Sequence, residues 1–168
     1  MAIEIERRFL VSAKALKVLQ LDQSRGDFIH QGYITQSPDQ TTCRVRIVES
    51  KAWLTIKGKP VGASRQEFEL PIDLAQAQDI LQTLTVGSAI EKTRYRIPYG
   101  GLTWELDVFY GQNDGLIIAE VELDDENQSI ELPSWIGREI TTVSRYTNAS
   151  LAEHPFTQWC GKDIIDPD

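Results

Sequence analysis

Little in this chain could ligate a soft metal, staple a loop or cross a membrane. Its 168 residues hold two cysteines, Cys43 and Cys160, and two histidines, His30 and His154. The cysteines lie far apart and match no metal-binding spacing. Cys43 sits on the apolar parity of its segment, which makes it a core residue rather than a ligand or nucleophile. Each histidine stands alone and reads as a surface or packing residue. No apolar run approaches membrane-spanning length, and Glu4, Glu6, Arg7 and Arg8 interrupt any N-terminal leader. A soluble, reduced, cytoplasmic protein is expected. Gly (11) and Pro (7) are few, and no repeat or linker divides the chain. One domain over 1–168 is expected, with an irregular tail over 155–168 onto which Phe156 and Trp159 pack. No phosphate-binding Gly-rich loop and no Ser/His/Asp set is present. Cations are outnumbered, 17 Lys and Arg against 25 Asp and Glu, for a net charge of −8. Such a chain is a poor partner for nucleic acid or an anionic membrane. A polyanionic ligand would require its cations to be gathered in one shielded place.

What the chain has in abundance is charge at every second position. Glu4, Glu6 and Arg8 alternate with Ile3, Ile5 and Phe9. Arg44 and Arg46 alternate with Cys43, Val45 and Ile47; Lys57 follows Leu54 and Ile56; Glu67 and Glu69 flank Phe68. Lys92, Arg94 and Arg96 alternate with Thr93, Tyr95 and Ile97. Glu105 and Asp107, then Glu120 and Glu122, repeat the pattern, and Gln31 with Tyr33 forms a milder version. In a strand, parity is a face. Eight such strands with one specialised charged face point to a shared charged interior. Any one of them alone would read as an amphipathic strand with one wet face.

Three segments carry helical patterns instead. Ser12 is placed to cap Ala13 to Leu21, Asp73 to cap Leu74 to Leu84, and Ser144 to cap a helix from Arg145 to Glu153. Turn signals at 37–39, 58–62, 99–101 and 113–115 give short connections suited to antiparallel neighbours. The fold class expected is α+β, mainly β: a closed eight-stranded antiparallel β tunnel with a few helices packed outside. Closure removes sheet edges and encloses a hydrated, charged channel.

Arg forks match phosphate oxygens, Lys adds point charge, and clustered carboxylates without His or Cys suit Mg²⁺ or Mn²⁺. Both in one cavity fit a short chain of phosphates. The alternative is an internal salt-bridge lattice without a ligand, which would contribute little net stability for its desolvation cost.

The ordered motifs resemble a known family. Glu4-Ile5-Glu6-Arg7-Arg8 is similar to the N-terminal Glu-x-Glu-x-Lys signature of the CYTH domain, the triphosphate tunnel metalloenzymes. Gln31-Gly32-Tyr33, Arg44-Val45-Arg46, Leu54-Thr55-Ile56-Lys57 and Arg65-Gln66-Glu67-Phe68-Glu69 follow in family order. So do Glu91-Lys92-Thr93-Arg94-Tyr95, Glu105-Leu106-Asp107-Val108-Phe109, Ala119-Glu120-Val121-Glu122 and Arg145-Tyr146-Thr147-Asn148. Trp135-Ile136-Gly137-Arg138-Glu139-Ile140-Thr141 is similar to the short bacterial members. The resemblance implies metal-dependent hydrolysis of inorganic triphosphate, or a similar small polyphosphate, with Mg²⁺ or Mn²⁺. It implies phosphate binding by Arg8, Arg44, Arg46, Lys57, Lys92 and Arg94, and metal binding by Glu4, Glu6, Glu120 and Glu122, with Asp107 a further candidate. Arg8, Tyr33, Glu67 and Glu69 are the implied catalytic set. The sequence is compatible with a homodimer.

One position departs from the pattern: Arg8 stands where the signature has Lys. Arginine stays protonated and cannot act as a base, so it serves to hold phosphate or to lower the phenol pKa of Tyr33. The swap keeps a weakly catalytic polyphosphate binder in view. A class IV-type adenylate cyclase is the other alternative within the same fold.

Overall fold

The computed structural model describes residues 5–22, 25–35, 41–58, 66–125 and 127–160. Glu4 and the turn signals at 37–39 and 59–62 lie outside them. Eight strands form one sheet: β1 (Ile5–Leu10), β2 (Asp27–Thr35), β3 (Thr42–Val48), β4 (Lys51–Lys57), β5 (Glu67–Ile72), β6 (Val86–Tyr99), β7 (Leu102–Tyr110) and β8 (Ile117–Leu123). Their order is β1-β8-β7-β6-β2-β3-β4-β5, and every pairing is antiparallel. Among the described residues are also helices α1 (Ala13–Leu19), α2 (Leu74–Thr83) and α3 (Asn148–Glu153), with 3₁₀ turns at Gly111–Asn113, Ser144–Tyr146 and Phe156–Gln158.

The expected closure is not made by hydrogen bonds: among the described residues no ladder joins β1 to β5. The reason lies on the free edge of β1. Gly137 N–H donates to the Leu10 carbonyl at 2.8 Å, Leu10 N–H to Arg138 O at 2.9 Å, and Ile140 N–H to Arg8 O at 2.8 Å. Arg8 N–H donates to Thr141 Oγ1 at 3.1 Å. Residues 137–141 therefore occupy the backbone groups of Arg8 and Leu10 that a neighbouring strand would need. The Arg7 guanidinium, on the outer parity, clamps this strap through Glu139 at 2.8 and 2.7 Å.

The outer face buries the apolar parity. Phe9, Tyr95, Trp104, Leu106, Ala119 and Val121 form a cluster against which Ala15, Leu16 and Leu19 of α1 pack. Tyr95 and Trp104 are thus core residues. On the other half of the sheet, Val45 and Ala52 meet Ala77 of α2, with Leu74, Ile80 and Leu81 around them. Gly32 lets α2 approach: a Cβ there would stand 2.6 Å from Thr85 Cγ2 and 3.0 Å from Leu81 Cδ2. Two expected caps are formed, Ser12 Oγ accepting from Ala15 N–H at 3.1 Å and Asp73 Oδ1 from Ala75 N–H at 2.9 Å. α1 ends two residues before the expected Leu21, because Gln20 turns left-handed at φ 45°.

The third helix departs from expectation in start and in place. Ser144–Tyr146 form a 3₁₀ turn, Thr147 is extended, and its Oγ1 caps α3 by accepting from Ser150 N–H at 3.2 Å. Leu151 and Ala152 of α3 then pack with Leu10, Ile90, Phe109 and Ile118. Those strand residues share the parity of Arg8, Lys92, Asp107 and Glu120. So α3 lies on the inner face, not outside. Tyr146, Phe156 and Trp159 extend the same cluster, and Trp159 meets both other rings at 5.0 and 5.2 Å. The inner face is apolar and stoppered at one end, and charged over the rest.

Candidate active site

Two neighbouring cavities open on the charged part of the inner face. One, of about 340 Å³, is lined by Glu6 and Arg8 of β1, Arg44 and Arg46 of β3, Lys57 of β4, Glu67 and Glu69 of β5, Arg94 of β6, Glu105 of β7 and Glu120 of β8, with Thr147 and Asn148. The sheet thus curls far enough for its two edge strands to face one space. The other, of about 240 Å³, is carboxylate-rich: Glu6, Glu105, Glu120 and Glu122 line it with Arg96 and Thr103. A third cavity, about 670 Å³, adjoins the first through Glu6, Arg44 and Lys57 and reaches Tyr33, Thr42 and Ser150.

Register explains the juxtaposition. Arg8 faces Glu120 and Glu6 faces Glu122 across β1–β8, and Glu105 faces Glu120 across β7–β8. Tyr33 faces Arg44 and Gln31 faces Arg46 across β2–β3. Lys57 faces Glu67 across β4–β5. Directly opposed side chains in an antiparallel pair are the ones that touch.

The cationic wall on β3 and β4 is thinly partnered. Arg46 Nε donates to Gln31 Oε1 at 2.9 Å. Arg44 Nη2 donates to Thr55 Oγ1 at 3.3 Å, while its buried Nε has no hydrogen-bond partner. Lys57 Nζ pairs with Glu67 at 3.0 Å, and Thr55 Oγ1 donates to Glu69 Oε2 at 3.3 Å. Burial, reinforced by the charges of Arg44 and Arg94, pushes the Arg46 guanidinium down to about 10. It still carries its charge at neutral pH. A buried cation next to like charges, and a buried donor without an acceptor, are both relieved by an anion. Burial raises the Tyr33 phenol above its ordinary value, against the pull of Arg44 and Arg46.

The opposite wall is already neutralised. Arg94 Nε and Nη2 fork onto the two oxygens of Asp107 at 2.7 Å each. Nη2 also donates to Glu120 Oε2 at 2.8 Å, and Nη1 donates to Glu105. Lys92 Nζ reaches Asp107 Oδ2 at 2.5 Å and Asn148 Oδ1 at 3.4 Å. Lys92 and Asp107 are both 0% exposed and lie beneath the cavity wall. Both oxygens of Asp107 are taken by cations, which is the arrangement of a counter-ion rather than an open metal ligand. Burial opposes its ionisation, but Lys92 and Arg94 outweigh burial and hold the carboxyl below its ordinary range. Burial likewise opposes the charged Arg94, yet its carboxylate partners win and raise it.

Arg8 is buried, with Nη2 donating to the Thr141 carbonyl at 3.1 Å and Nε 3.7 Å from Glu6. The strap on the β1 edge thereby orients its guanidinium. Arg96 lies further out, bonded to Asp27 and 3.6 Å from Glu105. The Arg145 guanidinium stacks over the Trp159 ring at 4.1 Å.

Oxygen donors from Glu6, Glu105, Glu120 and Glu122 fit a hard divalent cation by donor chemistry. Among the described residues, no three carboxylates, histidines or cysteines converge as a closed metal cage. Magnesium does not need one, since it is commonly held by one or two carboxylates, waters and substrate phosphates.

Alternation marked Gln31 and Glu105 but gave them no role, and Thr55, Thr147 and Asn148 were not among the expected site residues. Parity places Thr55 on the inner face opposite Arg44. Thr147 and Asn148 follow an irregular segment and became visible only once α3 was found on the inside.

The CYTH domain model matches residues 2–155. The chain belongs to the CYTH domain family. An inorganic triphosphatase from Acetivibrio thermocellus is 44% identical over 156 residues, 93% of this chain and 97% of the relative. One from Nitrosomonas europaea is 39% identical over 153 residues, covering 89% and 96%. A crystal structure of an inorganic triphosphatase superposes with a TM-score of 0.68 at 35% identity, over 90% of this chain and 95% of its own.

Proposed function

We propose that this chain is a divalent-metal-dependent inorganic triphosphatase, releasing diphosphate and phosphate inside its charged cavity. The observation that carries the reading is the single cavity lined by Arg8, Arg44, Arg46, Lys57 and Arg94 beside a carboxylate-lined one. The likeness to two inorganic triphosphatases over nearly the whole chain supports the substrate.

Arg44, Arg46 and Lys57 bind the phosphate chain, and the orphaned Arg44 Nε gains its acceptor there. Arg8 holds a further phosphate from the β1 side. Glu6, Glu120 and Glu122, with Glu4, hold Mg²⁺ or Mn²⁺. The bound metal supplies charge neutralisation and a water of lowered pKa. Glu67 and Glu69 line the same cavity as Arg8 and orient the attacking water. Because Arg8 cannot accept a proton, the proton passes to a carboxylate; the Tyr33 phenol, raised by burial and not lowered by Arg8 as expected, keeps its own. Asp107 and Lys92 act from beneath, fixing Arg94 rather than touching substrate. Phosphate bound between Arg8 on the β1 edge and Lys57 on β4, the strand next to the β5 edge, draws the two sides of the sheet together and completes a tunnel that the hydrogen-bond ladder leaves open.

The test is phosphate release by purified protein with Mg²⁺ or Mn²⁺. Inorganic triphosphate is expected to turn over faster than ATP, with no cyclic AMP formed. ATP turnover equal to or above that of triphosphate rejects the substrate assignment.

A further inference from the structure

Arg94 is bonded to three carboxylates at once, and they are not equivalent. Asp107 is fully buried and also bonded by Lys92, so its charge is balanced without Arg94. Glu105 and Glu120 are partly exposed, line both the cationic and the carboxylate-rich cavities, and meet Arg94 on the boundary between them. Glu105 has a second cation, Arg96, at 3.6 Å. For Glu120 the described ion-pair partner is Arg94, at 2.8 Å.

The Arg94 side chain is 12% exposed. A guanidinium carries five N–H donors, and four contacts to carboxylate oxygens already use most of them. Arg94 therefore has little left for phosphate while it holds Glu105 and Glu120. Those carboxylates, in turn, have a tethered cation in place of a metal ion.

We propose that Arg94 is an exchange residue, holding Glu105 and Glu120 in the unliganded site and surrendering them to a divalent cation as it turns to phosphate oxygens. Its fork onto Asp107 is the pivot, because that contact is buried and stays anchored by Lys92. The tethered cation and the free one compete for the same oxygens, so metal alone binds weakly. Triphosphate relieves that competition by giving Arg94 other acceptors. By linkage the effect is reciprocal: each ligand strengthens the other through one side chain. The inference rests on the metal-site role given above to Glu120, and it makes Arg94 a positioning residue for that ligand.

The experiment is a Mn²⁺ titration of protein without any phosphate, following free Mn²⁺ by electron paramagnetic resonance at fixed ionic strength. Arg94→Gln is expected to bind Mn²⁺ about tenfold tighter than the wild type, within the usual range of coupling between sites. Arg46→Gln is the control, because it removes a cation from the same cavity that bonds Gln31 and no carboxylate. Loss of through-space repulsion alone predicts a gain at both, larger at Arg94 because it is nearer the carboxylates, and none at Arg94→Lys, which keeps the charge. A gain at Arg94→Lys as well as at Arg94→Gln supports exchange, and equal gains at Arg94→Gln and Arg46→Gln, or none, overturn it. Arg94→Lys covers a folding failure of the Gln variant, since one ammonium cannot span Asp107, Glu105 and Glu120 together. An intermediate gain is expected there, and unchanged affinity overturns the proposal. The readout is independent of turnover: a wild type that binds Mn²⁺ but leaves triphosphate intact refutes the hydrolase reading without touching this one.

Discussion

The two walls of the cavity are built on opposite terms. On β6, β7 and β8, Lys92, Arg94, Asp107, Glu105 and Glu120 form a connected set of ion pairs over the packed outer cluster that includes Trp104, Leu106 and Ala119. On β3, β4 and β5, Arg44, Arg46 and Lys57 have sparse partners, and β5 is exposed along nearly its whole length. The first wall satisfies itself without a ligand and keeps its buried Lys92–Asp107 anchor when Arg94 turns. The second is left wanting an anion. A site that grips a phosphate chain needs both: a buried anchor on one side and unspent positive charge on the other.

Mutations should separate the walls. Asp107→Ala leaves two buried cations short of a partner, and a loss of about 3–5 kcal/mol is expected by urea denaturation. Replacing Lys92 and Asp107 together by Met and Leu should restore much of it, since an apolar pair of similar volume avoids the buried charges. Arg44→Ala or Arg46→Ala should instead lower kcat/KM for triphosphate by about 100-fold. Neither should destabilise the fold much, because each removes a cation from a self-repelling group. A large stability loss at Arg46 would erase the distinction between the walls.

Acid titration sharpens the same contrast. Asp107 is held below its ordinary value of 3.8. A depressed acid contributes stability that is complete above its unfolded pKa and fades as pH falls through its folded one. The stability gap between wild type and Asp107→Asn should therefore be full above pH 3.8 and narrow below it. A smaller effect is expected at Thr147→Ala, about 1 kcal/mol from the lost α3 cap. The smallest belongs to β5: Phe68→Lys, at a side chain on an exposed edge strand, should change stability within about 0.5 kcal/mol.

Strand parity made the inner face legible, because one period of two assigns every side chain once a single residue is placed. That is why Arg8, Arg44, Arg46, Lys57, Glu67, Glu69, Glu105 and Glu120 could be grouped before any coordinates. Parity is silent on depth along the strand. Lys92 and Arg94 are alike in sequence, yet one is buried beneath the wall and the other lines the cavity. It is equally silent on what covers an edge, so the strap at residues 137–141 and the open ladder behind it were not foreseen. The caps at Ser12 and Asp73 were readable as local chemistry. α3 was not, since Ser144 offers the same hydroxyl as Thr147, and the burial of Tyr146 in the apolar end goes with the later start.

The apolar stopper of Leu10, Ile90, Phe109 and Ile118 under α3 makes the chamber a measuring cup. An ionised oxygen can descend only while there is a guanidinium or ammonium lining the cavity to meet it, and beyond the last of these it would meet aromatic carbon and aliphatic side chains. The depth to which a substrate seats is thus set by where the charges end, and a strand of many phosphates could dip one terminus without threading past that floor.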